Sequence, residues 1–378
     1  MVCRMKWAEM KYTSIMIHIN KEGTMTKPQK VRPYLTTRSL LPENQETPIQ
    51  FINNDSVENQ LFFRRNHFTY PTLSYSNYWL PINGVVSAPL LLSMQDILQY
   101  PSKTVEVVLE CSGDKRNLFE PKTFGEQWEK GAISQGKWKG VPLRTLLELS
   151  GIGEGAKEVV VEGYDYGLRN DLDEVYTYTR SLPIEKALHQ DTIIAYEYNN
   201  QPIPFKHGNP LRLIVPQWYA MASVKWIKQI SVINTTFNGP FQNIDYMYYP
   251  NKDNDLNAFP VTAININSTI QKPLDMEKIN TGVHLIKGIA WTGKGVITKV
   301  EISMDDGNTW SKADILPGKK VGYGWVSWSF EWKISEKGEY TIKSRATDSF
   351  GQIQPNLPFW NKKGYGYNAI DKIKVKVE

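Results

Sequence analysis

The order of apolar and polar residues divides the chain into a mixed part and a part that is extended throughout. Between about residues 60 and 245, four short segments are rich in β-branched residues and bounded by turn residues, as strands are: TVEVVLEC, KEVVVEGY, TIIAYEYN and LRLIVPQW. Three segments have helical features: SMQDILQY, with Ser93 as N-cap; VPLRTLLELSGI, with Gly151 behind it; and SLPIEKALH, with Ser181 as cap and Pro183 early in the helix. This mixture predicts an α+β domain.

After about residue 260 only strand patterns follow. Turn signals such as DDGN and EKGE separate them, and the strand candidates are VHLIKGIAWT, VITKVEISMDD, TWSKADIL, GWVSWSFEWKI, GEYTIKSRATD and DKIKVKVE. This spacing predicts an immunoglobulin-like antiparallel β-sandwich. We therefore predict three parts: an N-terminal extension or arm over residues 1–58, an α+β domain over 59–250 and the sandwich over 258–378.

Composition and charge narrow the classes of function. A net charge of +5 over 378 residues suits anion binding and is too dispersed for nucleic acid, and the apolar stretches are too short to span a bilayer. Two cysteines, Cys3 and Cys111, cannot form a disulfide framework. No export signal is seen among the first residues, and we therefore expect a cytoplasmic protein.

The candidate chemistry centres on Cys111 in ECSGDKR, where a predicted strand ends in a polar turn. Lys115 and Arg116 follow it, and positive neighbours favour the thiolate that acts as nucleophile or metal ligand. A small buried apolar side chain is the plain alternative. A cysteine hydrolase using His67 or His207 is another, whereas no CxxC or paired histidines support zinc. Three other stretches also mix basic residues with turns or strand ends: FFRRNHFTYP, KHGNPLRLIVPQW and MASVKW.

Residues 58–378 resemble the sulfite oxidase family of molybdopterin enzymes. The resemblance rests on the joint order of several motifs: Arg-Asn-His in the first stretch, the cysteine with arginine five residues on, WEKGAISQGKWKGVPLRTLL, His-Gly-x-Pro-x-Arg, SVKW, and AWTG, DDGNTW, SRATDSFGQIQP and WNKKGYGYN near the end. It implies a molybdopterin-binding domain, a dimerising sandwich and one molybdenum–molybdopterin per chain. A soft thiolate suits such a metal.

The resemblance also assigns residue roles. Cys111 becomes the metal ligand, Arg65 and Arg116 hold a small oxyanion, and Tyr246 assists proton movement, with Trp138 in the pocket wall. We expect Arg64 to be a solvated neighbour. The residues implied to hold the pterin cofactor are Phe63, Asn66, His67, Asp165, His207, Arg212, Ser223, Val224 and Lys225.

The implied reaction is oxidation of sulfite to sulfate, with electrons passed to an external acceptor, since the chain lacks haem-binding motifs. Several positions depart from the family pattern: Asp114, Lys115, Gln217 and Ala220, with Asn308 and Ser327 where some members bring a further arginine. These departures predict a weaker oxyanion pocket. They keep open a related oxyanion or sulfoxide reductase with nitrate reductase-like chemistry, or a cofactor-free binding protein on the same scaffold.

Overall fold

A computed structural model of the chain describes residues 32–52, 56–317 and 322–378. Cys3 and most of the predicted arm lie outside these ranges. The strands and helices are β1 Thr36–Leu40, β2 Glu43–Glu46, β3 Trp79–Gly84, β4 Leu90–Ser93, α1 Met94–Gln99, β5 Lys103–Glu110, β6 Ile133–Pro142, α2 Leu143–Ser150, β7 Glu158–Arg169, β8 Glu174–Pro183, α3 Ile184–Ala187, β9 Ile193–Tyr198, β10 Gln201–Pro202, β11 Arg212–Ile214, β12 Ile227–Ile233, β13 Met247–Tyr248, β14 Phe259–Pro260, β15 Asn267–Lys272, β16 Glu277–Ile279, β17 Gly282–Trp291, β18 Ile297–Ser303, β19 Ser311–Lys312, β20 Asp314–Ile315, β21 Val326–Ile334, β22 Gly338–Asp348 and β23 Asp371–Val377.

An antiparallel sheet and a mixed sheet build the α+β part. One has the order β10-β9-β6-β5, with β11 also paired to β9, and the other has the order β4-β3-β12-β7-β8. Strand β5 pairs antiparallel with β6 along its whole length, from Lys103 opposite Gly140 to Glu110 opposite Ile133. It therefore delivers Cys111, the next residue, to one edge of a rigid sheet.

The three helices of this part confirm the sequence prediction unequally. Ser93 caps α1, its hydroxyl accepting from the Asp96 amide at 3.2 Å, and Gly151 ends α2 in the left-handed region at φ +65°. Helix α3 has only four residues, and Pro183 precedes it as the capping residue. The predicted cap at Ser181 is wrong, because its hydroxyl is buried without a hydrogen-bond partner.

The C-terminal part is the predicted immunoglobulin-like sandwich. A four-stranded sheet with the order β15-β17-β21-β20 faces a five-stranded sheet with the order β16-β23-β22-β18-β19. Apolar side chains alternate inward from both sheets, among them Ile286, Trp328, Val300 and Ile342. The Ser268 and Ser344 hydroxyls meet at 3.1 Å between β15 and β22.

Part of the predicted arm is a hairpin rather than an irregular segment. Strands β1 and β2 pair antiparallel, and Gln45 forms a further bridge with Arg64. Residues Leu35–Glu378 form one compact unit, so the limits at 58, 250 and 258 stay predictions. Among the described residues, no helix has the length and apolar character needed to cross a membrane.

Candidate active site

A cleft of about 620 Å³, including the solvent at its mouth, opens beside Cys111. It gathers side chains from all four stretches that the sequence singled out. Of the fourteen predicted site residues, eleven line it: Phe63, Arg65, Asn66, His67, Cys111, Asp165, His207, Arg212, Ser223, Lys225 and Tyr246. Because these residues are spread over more than 180 positions, only the fold brings them together.

Cys111 is buried yet borders the cleft. Its amide donates to the Ala132 carbonyl at 2.8 Å, continuing the β5–β6 ladder, and its carbonyl accepts from the Asp114 amide at 2.8 Å, closing the turn. Burial raises the pKa of the thiol, although the charges of Arg65 and Arg116 oppose that effect. The positive neighbours therefore favour the thiolate, as expected, but Arg65 and Arg116 act instead of Lys115, and burial has the larger effect on the pKa of the thiol.

A hydrogen bond joins His67 to Tyr246, and the Arg65 guanidinium lies beside these two uncharged side chains. The Tyr246 hydroxyl lies 2.7 Å from His67 Nε2, and Arg65 Nη2 lies 3.4 Å from the same ring. Burial lowers the pKa of His67 well below its ordinary value, with the Arg65 charge adding to the effect, and burial raises the pKa of Tyr246. At neutral pH the tyrosine therefore keeps its proton and shares a hydrogen bond with an uncharged imidazole, whose tautomer sets which group donates.

A second pair of ionisable side chains, Lys225 and Asp165, lines the same cleft. Lys225 Nζ donates to the Arg65 carbonyl at 3.2 Å and to the Asn66 side chain, and it lies 4.1 Å from the Trp226 ring centroid. Burial lowers the pKa of Lys225 and raises that of Asp165, while each partially stabilises the other's charge. The two opposite charges therefore partly compensate for each other's burial.

Arg212 and His207 complete this wall, and Arg212 is its cation, because burial and the Arg212 charge lower the pKa of His207 well below its ordinary value. Arg212 Nη1 donates to the His207 carbonyl at 3.1 Å, and the guanidinium lies over the rings of Phe62 and Trp138 at 5.7 and 5.2 Å. Burial lowers the pKa of Arg212 to about 9. The wall thus presents partly desolvated cations, which an anionic group would stabilise.

Some polar atoms of the cleft's lining residues have no hydrogen-bond partner in the described part of the protein. Within the part of the chain that the structure describes, four buried polar atoms of its lining residues lack a hydrogen-bond partner: Arg64 Nε, Ser112 Oγ, Asp165 Oδ1 and Arg212 Nε. Buried polar groups are nearly always paired. Their donors and acceptors fit a pterin with its phosphate, which needs both kinds of partner.

Arg116 belongs to the surroundings of Cys111 rather than to the lining of this cleft. It is 5% exposed, Nε donates to the Lys363 carbonyl at 2.9 Å, and Nη1 donates to the Glu126 carbonyl at 2.8 Å. Its charge still acts on the Cys111 thiol. Of the predicted arginine pair, Arg65 lines the cleft and Arg116 lies against the cysteine turn.

Besides Arg116, two predicted site residues do not line the cleft. Trp138 is fully buried on β6 and packs edge-on against Phe62, with ring centroids 5.9 Å apart, so it lies behind the wall rather than in it. Val224 is also fully buried, and its carbonyl accepts from the Leu213 amide at 2.8 Å. Both positions were assigned by motif, and motif position does not reveal which layer a side chain occupies.

The neighbouring basic residues also differ from expectation. Arg64 is not simply solvated, because its side chain is 18% exposed and pairs with Glu43 at 3.0 Å. Lys115 is fully buried at φ +61°, and Nζ donates to Asn267 Oδ1 in the sandwich at 2.7 Å. It therefore ties two parts of the molecule together and leaves the thiol to Arg65 and Arg116.

The departures from the family pattern occupy distinct places. Ala220 lines the cleft, and Gln217 has φ +71°, a left-handed conformation that suits glycine better. Asn308 donates to the Asp305 carbonyl at 2.7 Å in an exposed turn, and Ser327 pairs with Ile289 in the sandwich. Neither of the last two lines the cleft.

Sequence reasoning missed several residues of the site. Tyr178, Met221 and Ser112 line the cleft, and the Tyr178 ring stacks on His67 at 5.3 Å. Tyr365 of the sandwich stacks on Tyr246 at 5.5 Å. Ser112 lay within a quoted motif, but no sequence pattern distinguishes Tyr365 from the other tyrosines of its aromatic-rich segment.

An α+β part that builds a cation-rich cleft around one buried cysteine, followed by a sandwich, defines a molybdopterin-binding class of protein. Residues 67–241 match the oxidoreductase molybdopterin binding domain, and residues 258–378 match the Mo-co oxidoreductase dimerisation domain. The chain belongs to the sulfite oxidase family.

Similar proteins support this assignment over nearly the whole chain. Sulfite oxidase of Gallus gallus is 30% identical over 354 residues, covering 88% of this chain and 76% of that protein. Mitochondrial sulfite oxidase of Rattus norvegicus is 32% identical over 367 residues, covering 91% of this chain but only 66% of the rat protein. NADH nitrate reductase of Volvox carteri is 31% identical over 341 residues, covering 83% of this chain and 39% of that protein.

A solved structure has the same fold. The sulfane dehydrogenase SoxCD from Paracoccus pantotrophus superposes with a TM-score of 0.79 at 26% identity, covering 89% of this chain and 85% of that one. Both the α+β part and the sandwich therefore have counterparts in that sulfane dehydrogenase.

Proposed function

We propose that this protein is a molybdenum-cofactor oxidoreductase that oxidises sulfite to sulfate and passes the electrons to an external acceptor. The observation that carries the proposal is the place of Cys111, a buried thiol at the edge of a cleft that holds Arg65, His207, Arg212 and Lys225. When bound, the cofactor supplies a two-electron redox centre next to that thiol.

The cofactor would occupy the cation-rich half of the cleft. His207, Arg212 and Lys225 suit its anionic phosphate, and the partnerless Asp165 oxygen suits ring N–H donors. Cys111 would provide the metal's protein ligand. Metal binding replaces the thiol proton, so the raised thiol pKa makes loading easier as the pH rises.

The substrate would meet Arg65 and Tyr246 beside the cysteine. Arg65 offers a guanidinium that is charged at any working pH, which holds a small oxyanion in a fixed orientation. The Tyr246 hydroxyl, bonded to neutral His67, can give up or regain a proton at its Oη without moving charge through water. Arg116 supports the same anion from its place against the cysteine turn.

The partners belong to the same proposal. The dimerisation-domain match supports a homodimer. A separate redox protein or oxygen would accept the electrons. The presence of only two cysteines, which suits a reducing compartment, supports a cytoplasmic location.

Replacing the metal ligand tests the proposal. We expect Cys111→Ser, purified from a host that makes the molybdenum cofactor, to lose at least about 100-fold in sulfite-dependent reduction of an artificial acceptor, because oxygen is a poor substitute for a soft thiolate. The control is Cys3→Ser, which removes the chain's other cysteine and is expected to retain wild-type turnover.

Equal turnover in Cys111→Ser and wild type would refute the proposal. A wild-type protein that carries the cofactor but reduces nitrate or a sulfoxide, and leaves sulfite unchanged, would instead support the reductase alternative. That alternative has the nitrate reductase similarity in its favour.

A further inference from the structure

A loop of the sandwich reaches the turn that holds Cys111. The Gly366 amide donates to the Ser112 carbonyl at 2.7 Å. Gly364 has φ +59°, and a Cβ added there would lie 2.1 Å from Thr123 Oγ1 and 2.9 Å from Arg116 Cγ. The backbone at Gly364 therefore packs closely against Thr123 and Arg116, and its positive φ favours glycine there.

The same loop holds Arg116. The Lys363 carbonyl accepts from Nε at 2.9 Å, and the guanidinium carbon lies 5.1 Å from the centre of the Tyr365 ring. With Nη1 bonded to the Glu126 carbonyl, only Nη2 has no hydrogen-bond partner among the described residues. Two hydrogen bonds and the Tyr365 ring thus fix the arginine, and the Nη2 amino group remains for a ligand.

Tyr365 also holds Tyr246. Their rings stack with centroids 5.5 Å apart and planes 27° apart. The guanidinium carbon of Arg180 lies 5.4 Å from the centre of the Tyr246 ring, and the Tyr246 hydroxyl is hydrogen-bonded to His67. The four side chains therefore form one continuous stack in the order Arg116, Tyr365, Tyr246, Arg180, with cations at both ends.

We propose that Tyr365, a residue of the sandwich, is a positioning residue for the oxyanion site. Its ring fixes the Arg116 guanidinium on one side and the Tyr246 phenol on the other. The sandwich thereby contributes to substrate binding without supplying a cation of its own at Asn308 or Ser327. This inference rests on the proposed oxidation of sulfite, and it assigns the role to the ring, not to the hydroxyl.

Three variants of the cofactor-loaded protein test the inference. Tyr365→Leu removes the ring, Tyr365→Phe keeps it, and Tyr367→Leu is the matched control, because Tyr367 lies two residues away and packs edge-on against Phe119 at 5.1 Å. We expect Tyr365→Leu to raise the KM for sulfite about tenfold or more, with a smaller change in kcat, since a freed guanidinium binds the anion less well. Tyr365→Phe and Tyr367→Leu are expected to stay within about twofold of wild type.

Three results would overturn the inference. One is an unchanged KM in Tyr365→Leu, which would show that the ring has no part in substrate binding. An equal rise in KM in Tyr367→Leu would likewise count against it, because it would indicate a general structural effect. The third is a Tyr365→Phe variant as impaired as Tyr365→Leu, which would assign the effect to the hydroxyl.

The affinity for sulfate, measured by calorimetry on the same cofactor-loaded proteins, separates this inference from the proposed function. If wild-type protein fails to oxidise sulfite, the proposed function fails. The inference is then decided by whether Tyr365→Leu alone weakens sulfate binding about tenfold.

Discussion

Cys111 combines two properties that a sequence pattern treats as alternatives. It packs in an apolar cluster with Phe62, Leu109 and Trp138, as a structural cysteine does, and it also borders the cleft. The apolar side disfavours the bare thiolate and raises the pKa of the thiol, which does not suit a free nucleophile. This weakens the cysteine-hydrolase reading.

The buried carboxyl group of Asp114, three positions beyond Cys111, should make the stability of the protein depend on pH. Asp114 is 1% exposed, one carboxylate oxygen accepts from the Ala132 amide at 2.8 Å, and the other has no partner among the described residues. Burial raises its pKa to about 7 from the ordinary 3.8. Between these values the folded state binds more protons than the unfolded state, so stability falls as the pH rises.

We therefore expect Asp114→Asn to reduce the loss of stability that occurs as the pH rises. An asparagine oxygen can still accept from Ala132, and no charge has to be buried. The free energy of unfolding at pH 8 should rise by about 2 kcal/mol over wild type, with little difference at pH 4. Denaturant unfolding at both pH values checks this, with the exposed Asp253→Asn as control. Equal pH dependence in wild type and Asp114→Asn would contradict it.

The residue scale also shows where sequence reasoning stops. Motif order identified eleven residues that line one cleft, because the chemistry of anion and metal binding restricts the residue types. It could not place Trp138 behind the wall or turn Lys115 toward the sandwich, since both depend on packing between distant segments. Tyr365 was missed for the same reason.

At the scale of single elements, the hairpin β1–β2 supports the cleft. Asn44 Oδ1 accepts from the Asn66 amide at 2.7 Å, and Asn66 Nδ2 donates to the Glu43 carbonyl at 2.6 Å. Glu43 also pairs with Arg64 and Lys206, each at 3.0 Å. The hairpin thus fixes the segment that contributes Arg65, Asn66 and His67.

Removing one hairpin contact should loosen the cofactor. We expect Asn44→Ala to leave the Asn66 amide without its acceptor, at a cost of about 1–3 kcal/mol. If this loss of free energy weakens cofactor binding in the cleft, the cofactor should be released about tenfold faster. Fluorescence of the released, oxidised pterin measures the rate, with Thr37→Ala on the exposed side of the hairpin as control. Equal release rates in Asn44→Ala and wild type would show that the hairpin does not hold the cleft.

The elements were predictable to different extents. Strands β5, β7, β9 and the long strands of the sandwich follow β-branched runs, so local pattern and final fold agree. The hairpin was not predicted, because the residues of β2 (ENQE) have low strand propensity. Side chains of other segments stabilise this strand instead. Helix α3 is short because the strand β8 continues up to Pro183.

At the scale of the whole molecule, the sandwich is part of the environment of the cysteine turn. Lys115 donates to Asn267, Trp291 Nε1 donates to the Glu110 carboxylate at 2.8 Å, and Gly366 donates to Ser112. Each contact joins the sandwich to a residue within four positions of Cys111. The two parts therefore act as a single unit in shaping the proposed metal site.

The metal and pterin content of the purified protein tests the central claim most directly. Protein made in a host whose own molybdenum enzymes are loaded is expected to contain about one molybdenum and one pterin per chain. Cys111→Ser should keep pterin while its molybdenum absorption spectrum changes. Wild-type protein from that host with neither molybdenum nor pterin would contradict the account and favour a binding protein on the same scaffold.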